Sequence, residues 1–326
     1  MLCFPAPGTG SQPTIPAGDS ISHQPVVMLF GGDVLLGGHY AESVGDSVTI
    51  AFEALPALAR ADIAMANLEN PVTTRGHKVP KPYNFRMHPR CLRALTDGGI
   101  KIVNIANNHI FDYGPEGLFD TISYLDSAGI RHVGAGRDRE DAHRPVVLVV
   151  RGVRIGFLGY YGGGEAPGAG SRSPGVARRV KGEVISDIRS LREHRGVDFI
   201  VVNLHWGTEN AHAPDREQVS FAHCLIDSGA DAVVGHHPHV LQGIERYGRG
   251  IIAYSMGNFV FGGNERDTYN TGIFEIRLTS AGVRYAFVPV RVEKWHASLP
   301  APMDSLSVVD SMRRLSSMFP RTIFTN

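Results

Sequence analysis

Residues 230–239 read ADAVVGHHPH, an apolar run followed at once by three histidines within four positions. The run is typical of a buried β-strand, and the histidines stand where that strand would end. In open α/β sheets, ligands collect outside the carboxyl ends of the strands. Because His237 and His239 are two positions apart, an extended backbone would turn both rings to one side, as ligands of one or two metal ions require.

Similar apolar runs recur along the chain and alternate with helical patterns. The spacing predicts strands over 25–32, 61–69, 100–108, 146–150, 154–160, 198–206, 230–238 and 250–261. The intervening patterns predict helices over 89–97, 115–127, 180–194 and 214–228. This alternation of strand and helix predicts an α/β fold in which sheets are covered by helices.

The C-terminal part has a different pattern. TGIFEIRLT and VRYAFVPVRVE, separated by Ser280–Gly282, predict an antiparallel hairpin, and Met303–Met318 predicts an amphipathic helix that docks on the body. We expect residues 25–326 to form a single domain that ends in this hairpin and helix. Residues 1–24, with Pro, Gly and Ser but no apolar run, are expected to be a disordered leader.

Composition excludes several classes of protein. The chain has 326 residues with 32 basic and 32 acidic side chains, and this zero net charge argues against a nucleic-acid partner. No apolar stretch approaches the roughly 18 residues of a membrane span, so we expect a cytoplasmic protein. Three separated cysteines indicate neither a disulfide framework nor a thiolate zinc site. The 15 histidines point instead to imidazole chemistry, which includes metal binding.

Carboxylates follow the first two predicted strands. Asp33 stands on the expected turn after VVMLF, where a carboxylate can be a metal ligand, a base or a cap of the next segment. Asn67 and Glu69 are two positions apart and would project from the same face of an extended chain. These residues are candidates to face a common centre.

Amides and imidazoles follow two later strands. Asn107, Asn108 and His109 come directly after an Ile- and Val-rich run, and Asp112 is placed to orient the His109 ring by accepting its second N–H. The strand over 198–206 ends in His205 and Trp206, with Glu209 close behind. Alone, a histidine at a strand end is more often structural than functional. The three histidines of 236–239 favour a functional interpretation of the whole series.

Several of these segments together resemble one family. GGDVLLGG, ANLENPV, ANNHIFDYGPEGL, LHWGTEN, GADAVVGHHPHVLQGIE and YSMGNFVF, spread from Val26 to Phe261, resemble the CapA family, named for capsule poly-γ-glutamate synthesis. That family is in turn similar to the calcineurin-like metallophosphoesterases. The resemblance implies a four-layer α-β-β-α sandwich of the metallo-dependent phosphatase type, with metal ligands on loops at the strand ends.

The resemblance also implies roles for individual residues. The implied metal ligands form two positions that share one carboxylate: Asn108, His205 and His237 at the first, Asp33 and His239 at the second, and Glu69 bridging them. His109 would be the general acid. Phosphoesterases carry a histidine where this chain has Leu35, and an aspartate in place of Glu69. The expectation is therefore one divalent ion (Mn, Zn, Fe or Mg), with a metal-free site left open.

Further residues are expected to contact a substrate. The loop Lys78–Arg86 could clamp a carboxylate through Arg86, or its charges could simply be solvated. Amide side chains near the strand ends could donate hydrogen bonds to a developing negative charge. The residues assigned to substrate binding are Asn67, Lys81, Arg86, Asn107, Trp206, Glu209 and Asn258.

Four functions are compatible with the sequence. The leading one is an enzyme that uses His109, Asp33 and Asp112 for acid–base chemistry, with or without a metal, on a γ-glutamyl polymer or peptide-like substrate. The second is a metal-independent peptide epimerase of ribosomal peptide maturation, a role also known among CapA-like proteins. The third is a non-catalytic accessory subunit of polymer synthesis or export, and the fourth, a phosphodiesterase, is disfavoured by Leu35. Protein partners are not predicted.

Overall fold

The structure is a computed structural model that describes residues 24–324, so the predicted leader lies outside the described residues except for residue 24. The strands in chain order are β1 (Val26–Leu35), β2 (Ile63–Leu68), β3 (Ile102–Asn104), β4 (Arg131–Val133), β5 (Ala135–Gly136), β6 (Val146–Val150), β7 (Val153–Tyr161), β8 (Gly175–Val176), β9 (Phe199–His205), β10 (Ala232–His236), β11 (Ile244–Tyr247), β12 (Gly250–Ala253), β13 (Asn258–Phe261), β14 (Thr268–Thr279), β15 (Gly282–Glu293) and β16 (His296–Ser298).

The helices lie between these strands and after the last one. They are α1 (His39–Val44), α2 (Pro56–Arg60), α3 (Leu92–Asp97), α4 (Gly114–Ser127), α5 (Arg139–Ala142), α6 (Lys181–Arg195), α7 (Arg216–Asp227) and α8 (Pro302–Ser316), with short 3-10 helices at Val48–Ala51 and Pro89–Cys91. A capping box starts α7, in which Asp215 accepts from the Gln218 backbone and the Gln218 side chain accepts from the Asp215 backbone. None of the helices within residues 24–324 is long and apolar enough to cross a membrane.

Two large sheets form the centre of the fold. An eight-stranded sheet runs β16-β15-β14-β1-β2-β3-β4 with β13 also paired to β1, and a six-stranded sheet runs β11-β12-β10-β9-β7-β6. The strands that carry the candidate site are parallel neighbours: β1, β2 and β3 in the first sheet, and β7, β9 and β10 in the second. Their carboxyl ends therefore lie at one edge of each sheet, where ligands collect.

Successive side chains along each strand point to opposite faces of the sheet and therefore pack into different layers. In β9, Phe199 and Val201 pack between the sheets against Phe30 of β1, whereas Ile200 and Val202 pack beneath α6 and α7. The opposite face of the first sheet is covered by α3 and α4 in a separate apolar cluster. Because these strands are buried on both faces, their sequences are continuous apolar runs. The predicted four-layer α-β-β-α sandwich is confirmed.

The segment 250–261, predicted as one strand, forms two strands in different sheets. β12 lies in the six-stranded sheet, and β13 pairs with β1 in the eight-stranded sheet. The intervening turn includes Gly257, whose φ of 61° is in the left-handed region that favours glycine. This crossing places Asn258 beside Asp33 in the strand register. β14 and β15 pair as an antiparallel hairpin, and α8 is the last helix of the described residues.

Asp33 lies within β1 and not on a turn after it. β1 pairs with β14 through Phe30, changes neighbours, and pairs with β13 from Asp33 onwards. At the change, a Cβ on Gly32 would stand 1.9 Å from the Gly257 carbonyl oxygen, so glycine is required there. The Asp33 backbone N–H donates to that same oxygen at 2.8 Å. Strand pairing therefore fixes the position of this carboxylate.

Candidate functional site

Two buried carboxylates lie side by side at the ends of β1 and β2. Asp33 and Asn67 are partners in the strand register, and Asn67 Nδ2 donates to Asp33 Oδ1 at 2.9 Å and also to Glu69 Oε2. Asn67 Oδ1 in turn accepts from the amides of Asn104 and Asn107, at 3.0 and 3.3 Å. The Asp33 and Glu69 side chains are inaccessible to solvent. Asn67 thus holds both carboxylates in one place.

The second sheet places an imidazole next to the Asp33 and Glu69 carboxylates. His205, at the end of β9, has Nε2 2.8 Å from Asn108 Oδ1 and 3.5 Å from Glu69 Oε1. Candidate ligand atoms of Asp33, Glu69 and His205 all lie within 4.8 Å of one another. The edges of the two sheets therefore meet at one compact cluster, which we call the inner cluster, defined by Asp33, Glu69 and His205.

The histidine-rich loop lies against this cluster in an unexpected conformation. His237 and His239 have φ of 96° and 58°, so the backbone is not extended there, contrary to our expectation. Their rings nevertheless lie 6.0 Å apart, and the His237 ring lies 4.7 Å from that of His205. His239 Nδ1 stands between Asp33 Oδ2 at 3.2 Å and Asn258 Oδ1 at 2.9 Å. Asn258, predicted to bind substrate, thus contacts His239.

His236, which the sequence analysis did not assign, is a further residue of the site. It is 1% exposed, and its Nδ1 lies 3.4 Å from Asp33 Oδ1. Every second residue of β10, at positions 232, 234 and 236, faces the space between the sheets. This alternation could have identified His236 as a residue of the site.

An acid–base group stands next to Asn108. His109 Nδ1 lies 2.8 Å from Asp112 Oδ2, as predicted from their spacing, and the Phe85 backbone N–H donates to the same oxygen at 2.6 Å. Lys81, expected to bind substrate, instead forms an ion pair with Asp112 and donates to the Asn108 carbonyl at 2.8 Å. Its Nζ also lies 3.2 Å from His109 Nδ1, so the ammonium contacts three groups of the protein and is placed to position His109 and Asp112.

Two other residues predicted to bind substrate, Asn107 and Trp206, form hydrogen bonds within the protein. Asn107 donates to the Leu68 carbonyl at 2.8 Å and accepts from the His109 and Ile110 N–H groups, so both ends of its amide are used. Trp206 is 2% exposed, stacks on Tyr254 and donates to the Tyr254 carbonyl at 3.1 Å. Like those of Asn67, these side chains have their polar groups paired within the protein, and their contact with a substrate stays a prediction.

Two of the assigned residues remain accessible. The Arg86 guanidinium lies 4.6 Å from the Tyr113 ring centroid, and the residue is exposed. Glu209 is exposed as well, and a carboxylate oxygen of Glu209 lies within 4.8 Å of ring nitrogens of His237 and His239. Substrate contact by Arg86 stays a prediction, whereas Glu209 lies beside two imidazoles.

The electrostatics of the inner cluster favour a bound cation. Burial alone would raise the pKa of Asp33, but the imidazoles of His236 and His239 outweigh it and hold that pKa well below its ordinary value. Burial, and then the neighbouring Asp33, raise the pKa of Glu69 well above its ordinary value. Burial and the nearby His237 lower the pKa of His205. A cation would relieve the repulsion at Glu69 and accept the neutral imidazole as a ligand.

Comparison with known proteins identifies the family. The family model described as bacterial capsule synthesis protein PGA_cap matches residues 27–263. The chain belongs to the PGA_cap family. Within it, the capsule biosynthesis protein CapA of Bacillus anthracis is 32% identical over 300 residues, covering 87% of this chain and 71% of that protein. The PGA biosynthesis protein CapA of Bacillus subtilis (strain 168) is 33% identical over 299 residues, covering 88% and 77%.

Solved structures relate this PGA_cap protein to a wider fold. Haemophilus influenzae NAD nucleotidase matches with a TM-score of 0.53 at 12% identity, covering 92% of this chain and 57% of that one. Such a likeness establishes the fold alone, which is the metallophosphatase fold.

The residues of the PGA_cap site fit a divalent metal. Glu69 Oε1, His205 Nδ1, His236 Nδ1 and Nε2, and His237 Nδ1 are buried without a hydrogen-bond partner among the described residues. An unpaired buried polar atom is costly, and an ion held by Glu69 Oε1 would satisfy that atom. Ligand atoms of one ion with bonds of about 2.0–2.2 Å stand about 3–3.5 Å apart. The 3.5 Å between His205 Nε2 and Glu69 Oε1 agrees with that spacing.

Proposed function

We propose that this PGA_cap protein is an enzyme that cleaves or transfers at the amide bond of a γ-glutamyl polymer or related peptide. The observation that carries the proposal is the inner cluster of Asp33, Glu69 and His205 standing next to Asn108 and His109. Asn108, whose Oδ1 lies 2.8 Å from His205 Nε2, directly precedes His109 in the chain, so the proton-transfer group stands next to the candidate cation site. The names of the CapA relatives, which refer to capsule and PGA biosynthesis, support the choice of substrate.

Asp33, Glu69 and His205, with the amide oxygen of Asn108, are the residues that would hold the ion. Bound there, a divalent metal polarises a carbonyl oxygen and lowers the pKa of a bound water towards about 7. Asn67 keeps the two carboxylates in position by donating to both of them. The imidazole and carboxylate set suits Zn²⁺, Mn²⁺ or Fe²⁺ better than Mg²⁺, which prefers oxygen ligands.

His109 supplies the proton transfer. In the tautomer that carries its hydrogen on Nδ1, the ring donates to Asp112 Oδ2, 2.8 Å away, and Nε2 is left to exchange a proton with the reactants. Burial lowers the pKa of His109, although Asp112 opposes the shift, so the ring is neutral at the start. Nε2 takes a proton from the attacking water and returns it to the nitrogen of the leaving amine as the C–N bond breaks. Phe85, with its ring 4.5 Å from that of His109, limits the access of water to this face.

The test is product formation from defined γ-linked glutamate oligomers. The purified chain, dialysed against chelator and reloaded with Zn²⁺ or Mn²⁺, is incubated with the oligomers, and the products are identified by mass spectrometry. We expect new chain lengths from the wild type, and none from Glu69→Gln or His109→Ala. Glu193→Gln, at an exposed position on α6, is the matched control and should behave like the wild type. No products with any metal would contradict the proposal and leave an accessory role.

One observation favours a second candidate, the metal-independent peptide epimerase. Asp33 is flanked by two imidazoles, with nitrogens 3.4 Å (His236) and 3.2 Å (His239) from its oxygens. Such a carboxylate–imidazole group could exchange a proton at a substrate Cα without an ion. Incubation with candidate peptides in D₂O after chelation distinguishes the two reactions. Deuterium at Cα without cleavage supports the epimerase, and cleavage without deuterium supports the hydrolytic function.

A further inference from the structure

A cleft lined by arginines lies at the opposite end of the central strands from the inner cluster. Its volume is about 430 Å³. The titratable side chains that line it are Arg131, Arg137, Arg144, Arg195, His132, Asp126 and Asp141. We propose that this basic cleft, defined by the four arginines and His132, binds a stretch of an acidic polymer through several of its carboxylates.

The position of the basic cleft separates it from the candidate metal ligands. Arg131 is the first residue of β4 and is in register with the first residue of the parallel strand β3. Arg195 ends α6, and its carbonyl accepts from Arg154 Nε, near the start of β7, at 3.2 Å. Tyr161, in register with His205, lies seven residues further along β7, or about 23 Å at about 3.3 Å per residue. The basic cleft is therefore separate from the inner cluster.

Three of the four arginines in the cleft have no acidic partner. Arg144 lies 3.1 Å from Asp141, whereas the other three guanidinium groups form no ion pair or hydrogen bond within residues 24–324. The chain as a whole has as many acidic as basic side chains, so this excess of positive charge is local. Unpaired guanidinium groups around one cavity favour an anionic ligand.

His132 adds an unpaired hydrogen-bonding atom to the cleft. Its side chain is 16% exposed, and its Nδ1 is buried without a hydrogen-bond partner in the described part of the chain. Burial is the main cause that lowers the pKa of His132, and Arg144 and Arg137 lower it further against the opposing Asp126 and Asp141. In the tautomer that carries its hydrogen on Nδ1, the neutral ring can donate to a ligand carboxylate, which would satisfy the buried nitrogen.

The arrangement of the arginines suits a ligand with several separated negative charges. They lie on four segments of the chain: at the start of β4, after β5, before β6 and at the end of α6. Guanidinium groups bind carboxylates in a bidentate geometry. A γ-glutamyl polymer carries one free carboxylate on each unit, and the choice of this ligand rests on the proposed function. Holding the polymer at a second site would raise its effective concentration at the inner cluster.

Fluorescence anisotropy with a long, labelled γ-linked glutamate oligomer tests the basic cleft. Chelator-treated protein is used, so that binding is measured apart from cleavage. We expect the double variant Arg131→Gln/Arg195→Gln to bind at least about tenfold more weakly than the wild type at low salt, because two charge-assisted contacts are lost. Arg189→Gln, at an exposed position of α6 that does not line the cleft, is the matched control and should bind as the wild type does. Added salt should weaken binding to the wild type more than to the double variant.

Two results would overturn the proposal. One is equal affinity of the double variant and the wild type, and the other is displacement of the oligomer by free glutamate or inorganic phosphate at the same concentration as the oligomer. Circular dichroism checks folding, and Arg137→Gln, at a third exposed position, should also weaken binding. Oligomers that bind in the basic cleft but are never cleaved would refute only the proposed function. Cleavage with unchanged binding by the double variant would refute only this inference.

Discussion

Replacing Glu69 by Gln should change the stability of the protein in opposite directions with and without metal. In the metal-free protein, Glu69 and Asp33 have oxygen atoms within 4.8 Å of each other, and both side chains are fully buried. Gln removes one of the two charges and keeps the shape. Its carbonyl oxygen can accept from Asn67 as Glu69 Oε2 does.

The expected changes in Tm follow from the distance between the two charges and from the stabilisation that a bound metal gives to the folded state. Burial and the neighbouring Asp33 raise the pKa of Glu69. At a pH high enough to ionise both carboxylates, two unit charges about 4.8 Å apart repel by about 3 kcal/mol at an effective dielectric constant of about 20. For a chain of this size, 1 kcal/mol shifts Tm by about 2 °C, so metal-free Glu69→Gln should melt up to about 6 °C higher than the metal-free wild type. A metal at 100 times its Kd stabilises the wild type by about 2.7 kcal/mol, or about 5 °C, and this rise should be absent from the variant.

Differential scanning fluorimetry of chelator-treated and Zn²⁺-loaded protein measures both effects. Glu193→Gln is the control. A metal-dependent rise that survives Glu69→Gln would refute the assignment of Glu69 as a ligand. A lower Tm for the metal-free variant would refute the argument that the two carboxylates repel.

Three further predictions concern separate parts of the molecule. Asp112→Asn should reduce turnover by about 10²–10⁴ with little change in KM, because His109 loses its orienting carboxylate, and steady-state kinetics measure this. Burial lowers the pKa of His132, so the folded protein resists its protonation and stability is lost as the pH falls below about 6.5. The free energy of unfolding from urea titrations should thus fall less between pH 7 and 5 in His132→Gln than in the wild type; an equal fall would contradict this. Phe157→Ala, between the two sheets, should lower the free energy of unfolding by about 3–5 kcal/mol, and a loss under 1 kcal/mol would contradict its place in the core.

The parts of the site that lie close together in the sequence could be predicted from it. The spacing of His109 and Asp112 indicated their contact, and the positions of Asn67 and Glu69 indicated a shared face. These contacts depend on the local geometry of one turn or one strand, which neighbouring residues determine. The ion pair of Lys81 with Asp112 could not be predicted in this way, because only the approach of two loops brings these residues together.

The sequence by itself determined the buried strands, the helices between them and the edge at which the polar residues would gather, because apolar periodicity and turn residues act over short distances. Tertiary structure alone decided that β12 and β13 belong to different sheets, that His236 faces Asp33, and that His237 and His239 lie beside Glu209. Asn108 and His205 are 97 positions apart and His237 and Asp33 are 204 apart. The pairing of strands, and not any local pattern, determines which of these distant side chains meet.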